Sequence, residues 1–182
     1  MNDCEVRKWR VRRLHENENV RFFTCGDSDL DDYILNEASS YQSELLAVNY
    51  VLEDENENVL AFMALLNDRI GLMDFSSSAD FNRFRSNRFV SSKRYKGYPA
   101  IKIGRIGVSS SAARSGIGSM LIDFVKHYFV TKSKSGCRFI TVDAYNGAID
   151  FYVKNGFTRM TQCNTGNTSL LYFDLLDYKN KL

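Results

Sequence analysis

The stretch from Ala100 to Tyr128, AIKIGRIGVSSSAARSGIGSMLIDFVKHY, constrains the fold more than any other part of the chain. It opens as a buried strand through Ile101, Ile103, Ile106 and Val108. The apolar phase shifts after Ile103, and with Gly104 and Gly107 inside the run this predicts a bulge near Gly104. A polar loop from Ser109 to Ser115 follows. Gly116-Ile117-Gly118 then opens a helix in which Ile117, Met120, Leu121, Phe124, Val125 and Tyr128 recur at helical spacing.

A small-residue loop at a helix start suits an anion. The first helical N–H groups lack partners inside the helix, the dipole favours negative charge there, and glycine lets a phosphate approach the backbone. The amides of Arg114, Ser115, Gly116, Ile117, Gly118 and Ser119, with the Arg114 guanidinium, make a candidate pyrophosphate cradle. It is not a Walker loop, because Ser119-Met120 follows Gly118. Nor is it a dinucleotide fingerprint, because position 121 is Leu. Alone, Gly-x-Gly is equally well explained as a helix start with close packing.

A second stretch, CRFITVDAYNGAIDFYVKNGF over 137–157, reads as a strand, a turn and a short helix ended by Asn155-Gly156. In order and spacing, the two stretches together resemble the GNAT superfamily of N-acetyltransferases. The first is similar to its acetyl-CoA motif, the second to its Val-Asp-Ala-x-Asn…Phe-Tyr-x-Lys-x-Gly-Phe segment. One position departs: the usual Arg or Gln three residues before Gly116 is Ala113, with Arg114 one place later. A further phrase, Phe23-Thr24-Cys25-Gly26 followed by Leu30-Asp31-Asp32-Tyr33-Ile34 and Ala38, resembles the branch that includes the tRNA-acetylating toxins. Other members of the family share that phrase.

The resemblance implies an α/β (α+β) fold, with a mixed, mostly antiparallel central sheet flanked by helices. Its two central strands, 100–108 and 137–145, would splay apart. Pantetheine would pair with the backbone of Ile106, Gly107 and Val108, the pyrophosphate would sit on the amides of Arg114 to Ser119, and Asn146 would touch the cofactor. Tyr152 matches the residue that many members use as the acid beside the sulfur. A phenol near pKa 10 is chemically suited to a thiolate whose conjugate acid is near ~8.5. Ordinary aromatic packing is the alternative reading of Phe151-Tyr152.

No general base stands out. Residues 101–108 contain no acid, and Asp143 and Glu44 qualify only by chemistry. A lysine side chain with pKa about 10.4 is well under ~1% neutral at pH 7.5, whereas an α-amine near ~8 is substantially neutral. The missing base therefore favours an α-amino acceptor. The expected activity is acetyl transfer from acetyl-CoA to a primary amine of a small molecule or a protein N-terminus. Three alternatives stay open: toxin-like acetylation of aminoacyl-tRNA, a non-catalytic CoA-binding module, and an RNA-binding protein built on the basic stretch described next.

Between Phe81 and Ile122 there is no acidic residue, while Arg83, Arg85, Arg88, Lys93, Arg94, Lys96, Lys102, Arg105 and Arg114 are basic. Phe81, Phe84, Phe89, Tyr95 and Tyr98 interleave with the first six, a pattern found on nucleic-acid surfaces and also in solvated insertions whose aromatics pack inward. The formal net charge is only +2, which argues against a strong nucleic-acid binder.

At 182 residues, with 44% hydrophobic residues, the chain is expected to be a single domain spanning 1–182. No apolar run approaches the roughly 18–20 residues that span a bilayer, and no secretory segment opens the chain, so a cytoplasmic protein without membrane contact is expected. Cys4, Cys25, Cys137 and Cys163 form no Cys-x-x-Cys pair and read as reduced thiols. His15 and His127 are isolated, so no metal site is expected. The residues leave the oligomeric state open, a homodimer included.

Elsewhere, the pattern predicts an edge strand over 5–14, a helix from Asp27 or Ser28 to about Leu46, and a hairpin of 48–53 with 59–66. It further predicts a short helix around 80–88, then a loop through Tyr98-Pro99. Gly136 is expected to cap the central helix, and 157–163 with 169–176 to form a final hairpin.

Overall fold

The computed structural model describes residues 9–89 and 94–182, and for 161–165 the backbone alone. The strands are β1 (Arg10–Arg13), β2 (Val48–Glu53), β3 (Val59–Gly71), β4 (Gly97–Val108), β5 (Phe139–Tyr145), β6 (Thr158–Thr165) and β7 (Thr168–Asp174). They hydrogen-bond as one sheet in the order β1-β2-β3-β4-β5-β7-β6. The pairs β1–β2, β2–β3, β5–β7 and β6–β7 are antiparallel, and β4–β5 is parallel. The helices are α1 (Ser28–Asp32), α2 (Ala38–Ser43), α3 (Ser78–Arg88), α4 (Ile117–Thr131), α5 (Ile149–Lys154) and α6 (Leu175–Lys179). This is the mixed, mostly antiparallel sheet with helices that the sequence implies. The parallel ladder is short: it runs from Ala100↔Phe139 to Lys102↔Thr141, while β4 continues to Val108 and β5 to Tyr145.

The chain forms two compact units. Met1–Leu66 with Gly104–Ile122 make the first, Asn67–Ile103 with Asp123–Leu182 the second. In the first, Asp27 caps α1 by accepting from the N–H groups of Asp29 and Leu30. A π-helical turn, Tyr33–Glu37, joins α1 to α2. Tyr33, Ile34, Phe23 and Phe62 are buried in the core, with the Phe23 and Phe62 rings edge to face at 5.3 Å. Polar groups buried there are paired. The Tyr33 hydroxyl donates to Asn49 Oδ1 at 2.8 Å, Asn49 Nδ2 to the Ala38 carbonyl at 2.8 Å, and Gln42 Nε2 to the Leu14 carbonyl at 2.6 Å. The helix ends earlier than its apolar stripe suggests. Leu45 takes φ +60°, and both Leu45 and Leu46 are exposed. Gly107 permits a close crossing, since a Cβ there would lie 2.6 Å from the Phe62 ring.

In the second unit, Phe81, Phe84, Tyr98, Phe139 and Tyr172 share one apolar cluster. Arg138 grips the buried Asp174 through two bonds of 2.6 and 3.0 Å. Three expectations change. Tyr98 and Pro99 belong to β4, because Tyr98 is drawn into the aromatic cluster. Leu175 and Leu176 belong to α6, because Asp174 accepts the Leu176 N–H at 3.0 Å and caps a helix there. Gly136 does not cap α4, which ends instead with the N–H groups of Lys132 and Ser133 both donating to the Tyr128 carbonyl.

Candidate functional site

In the first unit, β4 leads into a loop pinned at both of its opening serines. The Ser109 N–H donates to the Leu60 carbonyl and the Ser110 N–H to the Thr24 carbonyl, each at 2.8 Å. A 3₁₀ turn over Ser110–Ala112 follows. The backbone then takes positive φ at Arg114 (+62°) and at Gly116 (+86°), two residues apart. A left-handed Arg is uncommon, and successive reversals of this kind gather N–H groups into an anion-holding concavity. Ile117, 1% exposed, anchors the start of α4.

The first helical bond across this start is Met120 N–H to the Gly116 carbonyl, at 3.1 Å. Among the described residues, the N–H groups of Arg114, Gly116, Ile117, Gly118 and Ser119 meet no backbone acceptor; that of Ser115 reaches the Ala112 carbonyl at 3.4 Å. Arg114, Ser115 and Gly116 are exposed, and nothing lies within 4 Å of a Cβ built on Gly116. The loop therefore presents unsatisfied donors, a positive helix end and open space, which fits a pyrophosphate. Arg114 has an exposed side chain with no ion pair among the described residues, so its charge remains available to the same ligand. Ile106 and Val108 are half-buried on β4 beside Gly107.

Asn146 and Tyr152 belong to the second unit. Asn146 is exposed at the end of β5, with its N–H on the Asn167 carbonyl at 3.1 Å. Tyr152 is 4% exposed on α5. Burial raises its phenol above the ordinary value, which keeps it protonated, and its hydroxyl meets no hydrogen-bond partner among the described residues. The backbone that carries it is fixed by a Schellman motif. Gly156, at φ +84°, sends its N–H to the Val153 carbonyl at 2.9 Å, and Phe157 sends its N–H to the Tyr152 carbonyl at 3.0 Å. The Tyr152 and Phe157 rings meet edge to face at 5.4 Å.

Neither acid considered as a base is free and buried. Glu44 is exposed at the end of α2. Asp143 is exposed and ion-paired with Lys102. Nearby, Asp68 accepts from the Thr141 hydroxyl. These pairings join residues far apart in the chain, and no local motif announces them.

The basic stretch is largely engaged within the protein. Arg88 donates to the Tyr172 hydroxyl at 2.6 Å, lies 3.8 Å from Asp174 and sits over the Phe84 ring. Arg85 lies over the Phe81 ring and bonds Asn82. The Arg105 guanidinium lies 4.0 Å from the centroid of the Tyr33 ring. Phe81, Phe84 and Tyr98 are buried, and Phe89 stacks on Tyr98 at 3.9 Å. These four are therefore not laid out as a platform for bases. Arg83, Arg94 and Lys96 remain exposed, and Lys93 lies outside the described residues.

A cleft of about 140 Å³ in the second unit, lined in part by Asp74, Phe84, Arg159 and Tyr172, contains none of the expected site residues. Cys25 and Cys137 are free thiols; burial is the main force pushing both up to about 11. Among the described residues, no group of three or more His, Cys, Asp or Glu is arranged to hold a metal, and no helix is long and apolar enough to cross a membrane.

A family model described as an acetyltransferase (GNAT) domain matches residues 47–159. No curated protein matches the chain. Among solved structures, AtaT complexed with acetyl-methionyl-tRNAfMet superposes with a TM-score of 0.77 at 18% identity, covering 96% of this chain and 99% of AtaT. A mutant of KacT gives 0.76 at 17% identity, with coverage of 96% and 99%. AtaTR bound with AcCoA gives 0.75 at 19% identity, with coverage of 95% and 97%.

Proposed function

Because the chain belongs to the acetyltransferase (GNAT) family, we propose that its exposed loop at the start of α4 holds acetyl-CoA, and that the amine it acetylates is the α-amine of an aminoacyl-tRNA. The observation that carries the cofactor reading is the set of unsatisfied N–H groups at Arg114 and at Gly116 to Ser119, with open space over Gly116. In this reading Ser115 lines the same loop, the backbone of Ile106, Gly107 and Val108 lies along the pantetheine, and Asn146 contacts the cofactor. Acetyl-CoA supplies an activated acyl group and a thiolate leaving group. Tyr152 serves that thiolate: a phenol held protonated by burial keeps its O–H to donate.

Two observations support the acceptor. The carboxylates considered as bases are exposed or already paired, so an amine that is partly neutral without help is the better substrate. The fold also superposes over nearly its whole length on AtaT, which was solved with acetyl-methionyl-tRNAfMet. The same reading takes 1–182 as one acetyltransferase domain working in the cytoplasm, as a homodimer or alone.

A small primary amine or a protein N-terminus is the second reading. It is favoured by the engagement of Arg85 and Arg88 inside the protein, which leaves less charge for RNA. Incubation with radiolabelled acetyl-CoA and a panel of charged tRNAs, small amines and peptide N-termini separates the two. Label on charged but not uncharged tRNA supports the first reading, and label on amines or peptides alone overturns it.

A further inference from the structure

Lys126, on the part of α4 that belongs to the second unit, is 6% exposed, an unusual place for a lysine. Its ammonium donates to the Asn155 carbonyl at 2.9 Å and to Asp123 Oδ1 at 3.0 Å, and lies 4.6 Å from the centroid of the Phe173 ring. Asn155 is the residue that ends α5. The cation therefore sits at the negative end of that helix, on one of the carbonyls left over there. The same corner is held from the other side. A Cβ on Gly156 would lie 3.1 Å from the Phe173 ring, and the Phe157 ring lies 5.7 Å from it. Three residues before Asn155 is Tyr152, whose carbonyl takes the Phe157 N–H.

α5 has six residues, too few to hold its own shape, and the Tyr152 hydroxyl has no protein partner among the described residues to aim it. Its aim is then set by its rotamer, its packing and the end of its helix. We propose that Lys126 is a positioning residue for Tyr152: its bond to the Asn155 carbonyl fixes the end of α5 and so directs the phenol. This rests on the reading of Tyr152 as the acid. Asp123 is 61% exposed at its side chain and bonds the same ammonium from within α4, so it serves as a control.

The test is a double-mutant cycle with acetyl-CoA and the fastest acceptor of the panel. Lys126→Met should lower kcat by about tenfold or more while leaving KM for acetyl-CoA within about twofold. Lys126→Arg should recover part of the loss, and Asp123→Ala should change neither constant. In a Tyr152→Phe background, Lys126→Met should cost no further kcat. An equal loss in both backgrounds, or no loss at all, overturns the proposal while leaving Tyr152 in its role. Full turnover by Tyr152→Phe alone removes the acid and the proposal with it. Should the methionine variant not fold, Lys126→Gln enters the same cycle. A readout that needs no acceptor is the fluorine resonance of 3-fluorotyrosine at position 152. It should shift or broaden in Lys126→Met but not in Asp123→Ala, and an unchanged resonance counts against the proposal.

Discussion

Lys102 and Asp143 form an ion pair that links β4 to β5 where their parallel pairing stops. Lys102 is in the last registered pair, opposite Thr141, and Asp143 lies two residues further along β5, on the same face as Thr141. An aspartate whose carboxylate is engaged by a lysine at the surface is not aimed at an incoming amine. Asp143→Asn should therefore change kcat/KM by no more than about threefold and leave the acidic limb of the pH profile in place. A loss of a hundredfold, with that limb abolished, would restore Asp143 as the base.

Gly116 takes φ +86° with empty space over its α-carbon. Substitution there meets no clash, so its cost lies in the backbone and in whatever the new side chain does to the ligand. Gly116→Ala should cost about 1–2 kcal/mol of stability from left-handed strain. Gly116→Asp should add a negative charge beside the free amides and remove measurable acetyl-CoA binding by calorimetry on folded protein. Unchanged affinity in the aspartate variant would mean that the loop is not the cofactor site.

Leu45 offers a comparison with Gly156. After α2, the Leu46 N–H reaches the Tyr41 carbonyl and the Leu45 N–H the Gln42 carbonyl, the same bond pattern that closes α5, but with a leucine at φ +60° in the glycine position. The side chain is 85% exposed, so little packing is lost on removing it. Leu45→Asn should raise stability by about 0.5–1 kcal/mol in chemical denaturation, since Asn tolerates this conformation better. A destabilised variant would show that Leu45 makes an apolar contact of value.

The β4–loop–α4 segment was legible because each part carries a local signal: alternation in the strand, a glycine pair at the turn, and helical spacing after it. The β2–β3 and β6–β7 hairpins were legible for the same reason. What escaped was fixed by distant partners. Arg88 looked like a free surface charge until Tyr172 and Asp174, far along the chain, closed on it. Leu175 and Leu176 continue an apolar alternation, and only the Asp174 side chain, turning back to accept an N–H, makes them the first turn of α6. Lys126 carries no local signal in the sequence, since its burial goes with Phe173 and the end of α5, which lie far along the chain.

Acid should weaken the first unit through Glu53. Its side chain is 2% exposed and takes bonds from Arg10 at 3.1 Å and from Arg12 at 2.9 Å. Burial opposes its charge, but the bonds from Arg12 and Arg10 outweigh that and hold the carboxyl below its ordinary value. Glu18, bonded to the same Arg12, is held low as well. For a lowered carboxyl, the stabilisation is complete above the unfolded value, near about 4.3, and is lost as pH falls through the lower folded value. Denaturation midpoints should be flat from about pH 7 to 5 and drop below about pH 4. Glu53→Gln should cost about 1–3 kcal/mol at pH 7 and flatten that acid drop. An acid drop as steep as in the wild type would place its origin elsewhere.

The basic stretch yields the test of the acceptor. Arg85 and Arg88 are engaged with Phe81, Asn82, Phe84, Tyr172 and Asp174, so reversing either attacks the fold. Arg88→Glu would set a carboxylate near the buried Asp174 and should destabilise the protein by several kcal/mol, about 3–5 by analogy with a broken buried pair. Arg83, Arg94 and Lys96 are exposed; Arg83 has a contact of 3.4 Å to Asp80, too open to matter much. Reversing these three to Glu should leave the melting temperature and acetyl-CoA affinity unchanged and weaken charged tRNA strongly. If they contact phosphates, log Kd for the wild type should rise with log salt by about 0.7–0.9 per contact, and the triple variant should lose about two to three units of that slope. Retained tRNA acetylation with an unchanged slope would show that these side chains stay in solvent and that any RNA contact lies on another face.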